Sequence, residues 1–114
     1  MTSVIRVREE RLDGTLIAIL EGELDASSVG EVWVQVRRLV ANEAHRLVVD
    51  LTGVSYLDSA GINLIYAIGG ELTARQQQLH LVVVPGSPIE RTLAIVGADR
   101  AFPAHASLDE ALAS

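Results

Sequence analysis

Hydrophobic and polar positions alternate at the start of the chain, where Ile5 and Val7 stand against Arg6 and Arg8, the pattern of a half-buried strand. Asp13-Gly14 marks a tight hairpin turn. The run Thr15 to Leu20 is apolar on both faces, as expected of a central strand, and it ends at Gly22-Glu23-Leu24-Asp25. Val29, Val32, Trp33, Val36, Leu39 and Val40 then recur at helical spacing. Ser28 and Glu31 form a capping-box pattern ahead of that stripe, Arg37 and Arg38 complement the dipole at its end, and Trp33 reads as a core anchor.

The second half repeats the alternation of strand and helix. Leu47 to Leu51 is a short buried strand followed by a loop from Thr52 to Leu57, and Asp58-Ser59-Ala60-Gly61 opens a helix with Ile62, Ile65, Ile68 and Leu72 as its apolar face. Leu79 to Val84 is a strand stopped by Pro85-Gly86. Ser87-Pro88-Ile89-Glu90 combines an N-cap, a proline at the first helical position and a capping glutamate, and that helix ends near Gly97. Phe102 to His105 gives a last edge strand containing Pro103, and Ser107 with Glu110 caps a final helix. The expected order is β-β-α-β-α-β-α-β-α, an α/β fold with a mostly parallel sheet of four to five strands, an antiparallel edge strand and about four helices. Residues 1–114 read as one domain, without repeat or linker.

Composition narrows the function. The 114 residues are 49% hydrophobic but only 4% aromatic, so the core is aliphatic. A net charge of −6 argues against nucleic acid as a partner. No apolar run reaches the roughly 18–20 residues that span a bilayer, and the N-terminus lacks the apolar core of a signal peptide, so a cytoplasmic location without membrane insertion is expected. There is no Cys, hence no disulfide and no thiolate metal site. All nine basic residues are Arg, which removes the lysine of P-loops and kinases and also that of a receiver domain.

Polar clusters stand at two strand-to-helix junctions, Glu23-Leu24-Asp25 and Asp58-Ser59-Ala60-Gly61. Right-handed crossovers put both at one end of the sheet. At Asp58-Ser59 two readings stay open: one of the pair serves only as an N-cap, or Ser59 is exposed at the helix start as a phosphoacceptor. A phosphate there adds about −1.5 to −2 charges and is tolerated by the helix dipole. Beside Asp58 it would turn an acidic patch strongly acidic, so the effect falls on a docked partner rather than on the fold. Ser59 lacks the G-x-S-x-G setting of a hydrolase nucleophile. His45, His80 and His105 are scattered, His80 reads as a surface position, and no two histidines have metal-ligand spacing, so neither enzyme, metal nor cofactor is expected. Asp50 is expected to hydrogen-bond the loop that follows it, and Ser55 and Tyr56 are weaker phosphoacceptor candidates.

Gly22-Glu23-Leu24-Asp25, Leu47 to Val54 and Leu57-Asp58-Ser59-Ala60-Gly61, in this order and spacing, resemble the STAS family of sulfate transporters and anti-sigma factor antagonists. Pro88 to Asp99 and Ser107 to Leu112 look like the family's ending, so the resemblance runs nearly end to end. It implies a partner-switching protein. The unphosphorylated form binds an anti-sigma factor that is an ATP-binding, histidine-kinase-like serine kinase, and so releases a sigma factor. Phosphorylation at Ser59 ends binding, and a serine phosphatase resets the cycle. The resemblance implies a partner surface of Asp25, Asp58, Ser59, Ala60, Gly61 and Asn63. Many relatives carry Ser at the position of Ala60 and Gly at that of Asn63. Two other readings use the same fold: a STAS subunit of a stress-signalling scaffold or lipid transporter, and a small-ligand sensor.

Overall fold

The computed structural model describes residues 5–12, 14–40 and 45–114. Its elements run β1 (Ile5–Leu12), β2 (Thr15–Leu24), α1 (Val29–Val40), β3 (Arg46–Leu57), α2 (Ser59–Ala74), β4 (Gln78–Val82), α3 (Pro88–Val96), α4 (Ala98–Ala101), β5 (Ala104–His105) and α5 (Leu108–Ala113). The sheet order is β1-β2-β3-β4-β5. β1 pairs antiparallel with β2, and every later pairing is parallel. This is the expected α/β architecture, with five helices instead of about four, because the chain turns once more at Gly97 to form the single-turn α4. The expected burial of Ile5 and Val7, and Asp13 of the expected turn, lie outside the described residues.

Strands whose two faces are both apolar divide their side chains between two layers. From β2, β3 and β4, Leu16, Ala18, Leu20, Leu47, Val49, Leu51, Leu79 and Leu81 meet the buried faces of α1, α2 and α3. Ile17, Ile19, Val48 and Val82 point the other way and are covered by Leu108, Ala111 and Leu112 of α5. The larger layer therefore holds the long helices on one face, and a six-residue helix closes the other. The helices α3 and α5 begin as their sequences require. Ser87 Oγ accepts from the Glu90 N–H and Glu90 Oε1 accepts from the Gly86 N–H; Ser107 and Glu110 repeat the pattern, with the Ala106 N–H.

Three expectations need correction. Residues 52–57 are not a loop but the continuation of β3, which pairs with β2 as far as Leu24↔Leu57. Two register slips accommodate the extra residues of β3. At the first, Asp50 Oδ1 accepts from the Thr52 N–H at 2.9 Å and the Thr52 hydroxyl at 2.7 Å, a local bond that competes with the ladder. Gly53 then passes so close to β2 that a Cβ there would stand 3.2 Å from the Leu20 carbonyl oxygen. Ser28 does not form a capping box: its hydroxyl turns back, donating to the Glu23 carbonyl and accepting from the Asp25 N–H. His80 is not a surface position. It is buried at 6% exposure, because β4 has neighbours on both edges and α5 over this face.

Candidate functional site

Because β2 and β3 run on together past the end of β4, they carry residues 23–25 and 57–58 side by side at the C-terminal end of the sheet. The turn after β2 is tied by its own side chains. Asp25 Oδ1 accepts from the Ser27 N–H (2.9 Å) and hydroxyl (2.7 Å), while the Asp25 carbonyl accepts from the N–H groups of Ser28 and Val29. After β3 the backbone at Asp58 stays extended and α2 starts at once. Asp58 is the N-cap: its Oδ1 accepts from the Gly61 N–H at 3.1 Å, and its carbonyl accepts from the Ile62 N–H.

Capping is therefore the work of Asp58, and Ser59 occupies the first helical position with its side chain exposed. Gly61 is buried against the other junction. A Cβ at Gly61 would lie 2.6 Å from the Leu24 carbonyl oxygen and 2.5 Å from Leu57 Cδ1, so only glycine lets the first turn of α2 press onto the β2 turn. The Asp58 N–H also points to the Leu24 carbonyl, at 3.4 Å. The fold thus brings Asp25, Asp58 and Ser59 to one end of the sheet, as expected. Asn63 is exposed one turn further along α2, Ala60 is half-buried, and Gly61 acts from within by setting the spacing.

Beside Ser59 lies a feature that the sequence pattern did not disclose. Val29, Gly30 and Trp33 of α1 face Ala60, Asn63, Leu64 and Ala67 of α2 across an open groove of about 320 Å³. Trp33 is half-buried, packing on the core from its edge and lining the groove, with the Arg37 guanidinium 5.5 Å from its ring centre. It packs against the core as expected and is also a wall of this groove, whose other lining includes the small residues Gly30, Ala60 and Ala67. The signal available in the sequence was Gly30, a residue without a side chain in the first turn of the helix and three positions before Trp33.

Elsewhere, Ser55 Oγ donates to the Gly22 carbonyl at 3.4 Å and Tyr56 is exposed. His45 lies at the opposite end of the sheet, where its N–H donates to Gly14 O. The histidines are not all scattered: His80 Nδ1 and His105 Nε2 stand 2.9 Å apart. Burial first, then the Arg46 guanidinium and His105, hold the His80 imidazole below its ordinary value of 6.5. Among the described residues, no three His, Cys, Asp or Glu side chains gather as metal ligands, and no helix is long and apolar enough to cross a membrane.

Comparison with known proteins places this geometry. The STAS domain family model matches residues 6–111. The anti-sigma-F factor antagonist RsfB of Mycobacterium tuberculosis is 27% identical over 100 residues, covering 88% of this chain and 80% of its own. The crystal structure of an anti-sigma factor antagonist from Mycobacterium paratuberculosis superposes with a TM-score of 0.87 at 26% identity, over 96% of this chain and 92% of that one. The anti-sigma factor antagonist SpoIIAA in its unphosphorylated form has the same fold, with a TM-score of 0.77 at 19% identity over 94% and 93% of the two chains.

Proposed function

Since this chain belongs to the STAS domain family, we propose that it is an anti-sigma factor antagonist whose binding is switched by phosphorylation of Ser59. One observation carries the reading: the cap of α2 is Asp58, so the exposed Ser59 hydroxyl can be modified without removing the bond that starts the helix. Two relatives above a quarter identity are named as anti-sigma factor antagonists, which supports the class of partner.

The chemistry follows from position. A serine kinase transfers the γ-phosphoryl group of ATP to Ser59 Oγ; the new O–P bond replaces the bridging P–O bond, ADP leaves, and the hydroxyl proton is lost. The phosphate sits at the positive end of a 16-residue helix, which stabilises it locally. Its charge adds to those of Asp58 and Asp25 on the same surface and raises the cost of desolvating that surface against a partner. The unphosphorylated protein captures an anti-sigma factor of the ATP-binding, histidine-kinase-like class and frees a sigma factor in the cytoplasm. Phosphorylation by that kinase dissociates the pair, and a serine phosphatase resets it. The chain is the substrate of this cycle and not a catalyst. Asp25, Asp58, Ala60 and Asn63 frame the contact, and Gly61 fixes its shape.

Wild type, Ser59→Ala and Ser59→Asp used as baits in cells of the source organism test this. Wild type and Ser59→Ala are expected to retain one ATP-binding serine kinase, and Ser59→Asp to lose it. Retention of the same scaffold or transporter proteins by all three would mark an assembly subunit instead, and would overturn the switch.

A further inference from the structure

The second layer of the fold holds a group that the switch does not use. On the face covered by α5, His80 of β4 and His105 of β5 lie with their rings within 3° of parallel, centroids 5.2 Å apart, and His80 Nδ1 2.9 Å from His105 Nε2. The other nitrogen of His80, Nε2, is 3.3 Å from Gln78 Oε1. An amide oxygen only accepts, so His80 Nε2 carries the hydrogen and Nδ1 is the acceptor. His105 Nε2–H is then the donor across the pair.

We propose that the His80–His105 hydrogen bond is an acid-sensitive latch holding β5 and α5 on the sheet, and that protonation of both rings releases them. A proton on the partly exposed His105 ring leaves its Nε2–H donating, so the contact survives it. With His105 neutral, a proton on His80 Nδ1 is still accommodated, because His105 can carry its hydrogen on Nδ1 and accept at Nε2. With both rings protonated, two N–H groups are set against each other at 2.9 Å, and the contact is lost. β5 is only two residues long, and the bonds on either side of it include Leu81 N–H to Pro103 O and Val83 N–H to His105 O. Arg46 of β3 donates to Leu112 O and Ser114 O, and α5 contributes Leu108, Ala111 and Leu112 to the aliphatic layer.

The charged groups around the latch favour a neutral His80. Arg46 from β3 is a fixed cation whose charge opposes a proton on His80, and His105 from β5 is the partner ring. Asp50 of β3 shares a row with His105, with Val82 between them, and its carboxylate is engaged by Thr52. On α5, Asp109 is exposed and Glu110 accepts from the Ala106 N–H. β4 supplies Gln78 and β2 supplies Thr15, which accepts from Arg46. Since His80 takes up a proton less readily when latched than the ordinary value of 6.5, the open form binds more protons. Closure is thus at full strength above that value and weakens as pH falls through it. Opening bares Ile17, Ile19, Val48 and Val82, on the face away from α1 and α2. The Ser59 end keeps its own layer.

Hydrogen exchange followed by mass spectrometry, corrected for intrinsic rates, tests the latch at about pH 7.5 and about pH 5.5. The opening equilibrium of residues 104–113 is expected to rise by up to about tenfold at the lower pH, the limit for one site, while α1 and α2 stay protected. His80→Gln removes the titrating group and is expected to abolish that difference. Equal protection of 104–113 at both pH values in the wild type, or an unchanged pH response in His80→Gln, would overturn the proposal. A ring-resolved NMR titration of the wild type needs no variant: His80 titrating at or above 6.5 with the β5 amides still protected would also sink it.

Discussion

At the start of α2 the Asp58 carboxylate holds the Gly61 N–H, and the hydroxyl beside it is exposed, so the roles of residues 58, 59 and 61 separate under mutation. Asp58→Ala is expected to cost about 1 kcal/mol of stability, the usual value of an N-cap. Ser59→Ala should stay within about 0.5 kcal/mol of wild type, as surface changes do. Gly61→Ala must push a methyl group into the Leu24 carbonyl and is expected to cost about 1–3 kcal/mol. Urea unfolding of the three variants gives the ranking. A large loss in Ser59→Ala would mean that this serine supports the fold.

At the scale of elements, the site depends on how far β3 travels. The sequence Asp50-Leu51-Thr52-Gly53 reads as a strand running into a turn, because Asp, Thr and Gly are turn residues. In the structure the same residues make a bulge, and the strand resumes in register with β2. The Asp50–Thr52 bond was legible locally; continued pairing was not, since it depends on a partner strand about thirty residues away. Gly53→Val places a branched side chain against Leu20 O and Glu21, and should disturb this ribbon. A stability loss of about 1–3 kcal/mol is expected, with weakened partner capture even though residue 53 is not at the contact. Intact capture by a destabilised Gly53→Val would show that the ribbon does not position the site.

Across the whole molecule the two layers differ in weight. Ile68 is 1% exposed in the helix-side core, and Ile68→Ala is expected to cost about 2–5 kcal/mol. Leu112 of α5 is only half-buried against the second face, and Leu112→Ala should cost less, with the loss confined to the C-terminal segment in exchange protection. Equal global losses would mean that both layers unfold as one unit. The smaller cover on the second face also explains why an acid-sensitive contact can act there without disturbing Ser59.

The alternation of apolar runs and helical stripes was enough to establish the order of the strands and of every helix but α4, the parallel sheet and the helix starts at Ser87 and Ser107, because periodicity and capping are local. The family motif likewise marked Asp25, Asp58 and Ser59 as one neighbourhood. Which of Asp58 and Ser59 caps α2 was decided only in three dimensions, since both side chains can accept from the same N–H groups and the backbone path at the end of β3 selects one. The groove beside Trp33 and the meeting of His80 with His105 also belong to tertiary structure. A half-covered tryptophan and two histidines 25 residues apart acquire their meaning from the elements packed beside them, and that packing is not written in any short stretch of chain.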